Sequence, residues 1–317
     1  MKMIQKKIRS LIYAGLGLIL CVLLCGGIGM TAQAAEIKTY EGFTYTENGS
    51  EITITGYTGD KTELVIPGEI DGKKVTDIGT KAFYEYSSLT SVIIPEGVTN
   101  IGANAFYNCS SLTSAAIPKS VTSIGFLAFG YCGGLTSIVV DKENKYYDSR
   151  NNCNAIIATE SNTLVIGCKN TTIPASVTRL GEDAFVYCSG LTSITIPQGV
   201  TSIGYYTFAG CSDLTSITIP QSVTSIGDYA FYKCGNLNTV KFAEGSQTST
   251  IGAYAFAYNN NLQKSDITDG AGNYRYFRRY NAGYTNFYSG WNIDTLCVFL
   301  DLAIGADFWK TPFSFYF

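Results

Sequence analysis

The chain has 317 residues, no histidine, 46% hydrophobic residues and only 15% charged ones. The missing histidine excludes the Ser-His-Asp triad, the Cys-His dyad and every His-ligated zinc site, and the sparse charge argues against long surface helices laced with ion pairs. Its 23 tyrosines and 33 glycines suit strands and turns better than helix.

At the N-terminus, Lys2, Lys6, Lys7 and Arg9 precede an apolar run from Leu11 to Met30, and Ala32-Gln33-Ala34 is a small-x-small cleavage pattern before Ala35. Residues 1–34 therefore read as a bacterial secretory signal peptide. The run approaches the ~20 residues that a membrane span needs, so an uncleaved N-terminal anchor is the alternative and the only membrane contact expected. Cys25 lacks the small preceding residue of a lipidation site. Cleavage would remove four basic residues and leave 18 Lys plus Arg against 25 Asp plus Glu, a net charge of −7. An acidic exported chain has no charge-driven attraction to nucleic acid, which is excluded as a partner.

A repeat follows. Leu89-Thr-Ser-Val-Ile-Ile-Pro95, Leu112-Thr-Ser-Ala-Ala-Ile-Pro118, Leu191-Thr-Ser-Ile-Thr-Ile-Pro197 and Leu214-Thr-Ser-Ile-Thr-Ile-Pro220 each continue as Val-Thr-x-Ile-Gly-x-x-(Ala or Thr)-Phe-x-x-Cys. Leu89, Leu112 and Leu135 are spaced by 23 residues, as are Leu191, Leu214 and Leu237. A period in the twenties with leucine and isoleucine at fixed offsets predicts a leucine-rich-repeat solenoid. Alternation before the proline predicts a short strand, and proline, lacking an N–H, ends its pairing. Six prolines (Pro67, Pro95, Pro118, Pro174, Pro197, Pro220) follow isoleucine in this way. Val, Ile and Gly predict a second extended piece, and Ala-Phe-x-x-Cys closes the coil with a ring and a thiol turned inward. Degenerate units extend the array over residues 61–267, with an irregular insertion at 141–170. There Tyr146-Tyr147, Ile156-Ile157 and Leu164-Val165-Ile166 read as short strands of additional irregular coils.

This phrase resembles the BspA-like (Treponema-pallidum-type) leucine-rich repeat family of bacterial surface proteins. The resemblance implies a mainly β fold, a right-handed solenoid of ~23-residue coils with short parallel strands. It also implies an N-terminal β cap over 35–60, carried by Phe43-Thr-Tyr45, Ile52-Thr-Ile54 and Tyr57-Thr-Gly59. The function it implies is non-catalytic: a secreted or cell-surface protein, without cofactor, that binds host matrix proteins or bacterial surface proteins. A glycan is the alternative ligand.

Cys109, Cys132, Cys188, Cys211 and Cys234 share one offset, three residues after the phenylalanine. That spacing reads as an inward row of buried thiols, leaving Cys153 and Cys168 as the disulfide candidates and Cys297 without an obvious partner. Gly56-Tyr-Thr-Gly-Asp-Lys-Thr62 lacks phosphate-loop spacing. Glu182-Asp183 reads as a solvated turn rather than half of a glycosidase pair.

Ligand contacts are expected where the framework repeats and the residue varies. One such row, at the exposed strand offset, is Ile93, Ala116, Val139, Thr195, Thr218 and Lys241. The other, at the turn, is Asn104, Leu127, Asp183, Tyr206, Tyr229 and Tyr254, joined by Tyr107, Tyr131, Tyr187, Tyr232 and Tyr258 just after the phenylalanine. Tyrosine offers a rigid amphipathic contact surface, so Tyr206, Tyr229 and Tyr254 are the main candidates; stacking between coils is the plainer role for each. Residues 268–317 form a divergent, aromatic-rich tail with no sorting signal.

Overall fold

The computed structural model describes residues 36–262 and the backbone of 267–268. The expected signal segment, Cys297 and the tail from 269 onward lie outside the described residues. Residues 37–262 form a mainly β solenoid of ~23-residue coils. Among the described residues the only helical turn is Arg150–Asn152.

Three parallel ladders hold neighbouring coils together. The first is built from the segments that lead into proline: Glu63–Val65 pairs with Ser91–Ile93, Ser114–Ile117 with Ser137–Val140, and Ser216–Ile219 with Thr239–Phe242. Alternate residues of Ser216–Ile219 are buried and exposed, the period-2 pattern expected of a half-buried strand. The second ladder uses the Val-Thr-x-Ile segments, such as Asn100–Ile101 beside Ser123–Ile124 and Ser202–Ile203 beside Ser225–Ile226. The third runs through the Ala-Phe turns, where Asn104, Phe106 and Asn108 N–H donate to the carbonyls of Phe126, Ala128 and Gly130.

The fixed residues of the repeat each serve this stacking. Leu112, Leu214, Val121 and Val223 are fully buried. The phenylalanines form columns with centroids 5.0–5.2 Å apart, close to the strand spacing of a sheet. Threonine hydroxyls bridge coils: Thr113 donates to the Thr90 carbonyl at 3.1 Å and Thr224 to that of Thr201 at 3.1 Å. The corner glycine allows close approach, since a Cβ on Gly125 would lie 2.4 Å from the Ala103 nitrogen.

The array begins with an antiparallel meander, Lys38–Tyr40, Phe43–Asn48 and Glu51–Tyr57, whose third strand starts the second ladder by pairing in parallel with Lys73–Ile78. The insertion repeats that plan. Tyr147–Asp148, Ala155–Ala158 and Thr163–Gly167 are antiparallel, and the last pairs in parallel with Arg179–Leu180. Both meanders carry a register shift, at Thr44/Tyr45 and at Ile156/Ile157. The expectation of extra irregular coils is thus corrected: the strands exist, but they form a hairpin-based restart. Asn144 joins it to the preceding coil, donating to the Pro118 and Val121 carbonyls and accepting from Tyr146 and Tyr147 N–H, all at 2.9 Å. The core divides at this restart into two clusters, one ending at Val140 with Ile156 and Cys168, the other beginning at Cys153.

Candidate binding faces

The strand row is exposed at every expected position: Ile93, Ala116, Val139, Thr195, Thr218 and Lys241. The register joins Ala116 to Val139 and Thr218 to Lys241. Thr195 departs from the expectation, because Leu191–Pro197 is not a strand. The coil before it is the interrupted one and offers no complete strand to pair with. Val65, directly beside Ile93, extends the row upstream. It was missed, although Leu64-Val65-Ile66-Pro67 has the same apolar frame around one outward residue. The face is apolar in its first half, with Val65 at 64%, Ile93 at 58% and Val139 at 53% exposure, and polar in its second half.

The turn row lies on the third ladder, apart from the strand row. Its backbone is left-handed throughout: Asn104, Leu127, Asp183, Tyr206, Tyr229 and Tyr254 have φ between 50° and 57°. A second left-handed residue follows four positions later in each coil, as at Asn108, Tyr131, Tyr187 and Gly210. Such angles favour glycine and asparagine and penalise bulky residues. The rings of Tyr206, Tyr229 and Tyr254 are half-buried and stacked, with centroids 4.7 and 5.0 Å apart and planes within 17°. Tyr232 meets Tyr206 and Tyr229 edge-on, and the exposed Tyr258 continues that contact at 5.0 Å. Burial, followed by the neighbouring Tyr205 and Tyr229, pushes the Tyr206 hydroxyl up to about 12, so it remains a donor at neutral pH. A separate column runs Tyr84, Tyr107, Tyr131 and Tyr187, closing to 3.9 Å at its last step. Exposed Tyr205 and Phe126, both directly after the corner glycine, were also missed; their shared offset was the available signal.

The other candidate chemistries resolve differently. The repeat cysteines are buried, and Cys109, Cys132, Cys211 and Cys234 donate to the phenylalanine carbonyl of the preceding coil at 3.0–3.2 Å. Burial pushes the Cys109, Cys188 and Cys234 thiols up to about 12, so they stay protonated at neutral pH. Cys153 and Cys168 are both free, which corrects the disulfide expectation. They belong to different core clusters and bond separately, the Cys168 thiol to the Asn154 carbonyl at 3.3 Å. Glu182-Asp183 is not a simple solvated turn either: Asp183 Oδ2 is buried without a partner, and burial, then Glu182, pushes its carboxyl up to about 6. No group of three or more metal-ligating side chains gathers among the described residues.

The description "BspA type Leucine rich repeat region" fits the chain in six copies over residues 62–159 and 164–279, two blocks that part within the insertion. No curated protein matches the chain. Several solved structures are similar at low identity. A leucine rich cell surface protein from Faecalibacterium prausnitzii is 21% identical, with 74% of this chain and 95% of that one covered and a TM-score of 0.40. A leucine-rich repeat protein from Bacteroides ovatus is 24% identical, with 73% and 66% covered and a TM-score of 0.48. The T. pallidum leucine rich repeat protein is 23% identical, with 73% and 92% covered and a TM-score of 0.30. With its matched blocks spanning most of its length, the chain belongs to the BspA-type leucine-rich repeat family.

Proposed function

We propose that this chain is a non-catalytic, exported or surface-held binding module that captures a protein partner through the tyrosine column on its third ladder. The observation that carries the reading is strain. Tyr206, Tyr229 and Tyr254 hold φ of 50–57°, where a bulky residue costs roughly 1–3 kcal/mol. Stacking returns about 0.5–1.5 kcal/mol per ring pair beyond the area buried, which over the pairs of this column is of the same order as the strain, so packing offsets the cost and the ring edges are presented at little net change in stability. Asn104 fills the same offset in an earlier coil without that cost. Retained strain of this kind concentrates at binding surfaces.

Stacking also discriminates between ligands. Sugar rings bind on aromatic faces, and within this column Tyr229 lies between its two neighbours at 4.7 and 5.0 Å. Its faces are occupied and its edge is what a partner meets, which suits a protein surface better than a glycan. The N-terminal signal pattern and the family support export to the cell surface, with a host matrix or bacterial surface protein as the partner. In a test, the full-length chain is immobilised and exposed to a panel of purified extracellular-matrix proteins and to a glycan array. Saturable protein binding, insensitive to free sugar, is expected. Binding that free sugar competes away would transfer the assignment to the glycan alternative, and hydrolysis of any panel member would overturn the non-catalytic reading.

A further inference from the structure

Among the described residues the third ladder breaks at one step, and the break leaves unused hydrogen-bonding groups around a cleft. Elsewhere each step of the third ladder makes three bonds, as where Asp183, Phe185 and Tyr187 N–H donate to the carbonyls of Tyr205, Thr207 and Ala209. Between the coil of Leu127 and that of Asp183 only the last bond survives, from Tyr131 N–H to the Val186 carbonyl at 3.4 Å. Leu127 and Phe129 N–H have no acceptor among the described residues, and the Glu182 carbonyl has no donor. The Ala184 carbonyl, which would have taken the Phe129 N–H, instead accepts from Gly167 N–H at 2.7 Å. Phe185 likewise lies against the Gly167 backbone, where a Cβ would be 2.1 Å from the ring, instead of continuing the stack from Phe129. The seam is closed at the Tyr131–Tyr187 stack and open toward Leu127 and Asp183.

The opening is a cleft of about 280 Å³ walled by Ile124, Leu127, Phe129, Ile166, Phe185 and Val186. Its lining includes two carboxylates, Glu182 and Asp183, and no lysine or arginine. Asp183 Oδ2 is buried there with nothing to accept from. The cleft therefore asks for an apolar body, a cation, and a carbonyl for the idle N–H groups.

We propose that this cleft captures the free N-terminus of an apolar peptide. One N-terminal residue supplies all three features at adjoining atoms: its ammonium faces Asp183 and Glu182, its side chain enters the apolar lining, and its carbonyl accepts from Leu127 or Phe129 N–H. The bound segment takes the place of the missing ladder bonds, a small case of strand addition. The volume falls just below the ~300–1,000 Å³ of pockets for drug-sized ligands, which fits one or two residues.

The test is a chemical-shift titration of the full-length chain with Leu-Leu-amide, N-acetyl-Leu-Leu-amide and isoamylamine. Saturable shifts at the cleft with Leu-Leu-amide are expected, weakened about tenfold by acetylation, which removes one charge-assisted hydrogen bond. Isoamylamine, lacking the carbonyl, is expected to bind more weakly than Leu-Leu-amide. Asp183→Asn is expected to weaken Leu-Leu-amide binding about tenfold while keeping the fold, since Asn104 already holds the equivalent left-handed turn. Equal affinity for the free and acetylated peptides, undiminished binding by the folded Asn variant, or no shifts up to about 10 mM peptide would overturn the proposal. Isoamylamine binding as tightly as the peptide would overturn the peptide assignment.

Discussion

Single side chains carry two predictions. Asp183 is held half-buried with its carboxyl pushed up to about 6 from an ordinary 3.8, so the fold favours its protonated form. The stability this group contributes is present below about pH 4 and is lost as pH rises through about 6. Asp183→Asn should therefore stabilise the protein at pH 7.5 by about 1–2 kcal/mol, after allowing for partial solvent screening, and change little at pH 4; urea melts at the two values measure it. The buried thiols behave oppositely to a disulfide set. Iodoacetamide at pH 8 should leave Cys109, Cys132, Cys188, Cys211 and Cys234 unlabelled until denaturant is added, whereas rapid native labelling would contradict their placement. The thiol row was legible in the sequence because one offset recurs in five coils. Asp183 was not, because its burial comes from a seam between residues far apart in the chain. Asn259 was also illegible: it replaces cysteine at the same offset and donates to the Phe231 carbonyl at 2.9 Å, as the thiols do one coil earlier.

At the level of strands and turns, the corner glycine should be the most sensitive position of the repeat. A Cβ on Gly227 would lie 2.6 Å from the Gly204 carbonyl carbon, while one on Gly235 meets nothing within 4 Å. Gly227→Ala is expected to cost about 1–3 kcal/mol through forced separation of two coils, and Gly235→Ala to be nearly neutral, as read by chemical denaturation. The strands before proline were legible from alternation, and so were the short Val-Thr-x-Ile segments. The ladder through the Ala-Phe turns was not, because it consists of isolated bonds between left-handed turns and has no two-residue period. The restart at Tyr147–Gly167 was half legible: its apolar pairs marked the strands, but antiparallel and parallel pairing of such short runs read alike in one dimension.

For the solenoid as a whole, stability should be a sum over coils and their interfaces. Removing residues 191–213, one full 23-residue period, should leave a shorter cooperative fold with a β-type circular dichroism spectrum. Removing half a coil from the same place should prevent folding, because every ladder then loses register. The same repetition makes a continuous surface from single positions, which is how three strained tyrosines become one column. The central claim is that this column is kept for binding rather than for stability. Its most direct test is the triple variant Tyr206→Asn, Tyr229→Asn and Tyr254→Asn, assayed against whichever purified matrix protein the parent chain binds. Relief of backbone strain should offset the lost stacking to within about 1 kcal/mol, and affinity should fall at least about tenfold. A variant that loses several kcal/mol of stability while binding its partner undiminished would contradict the account.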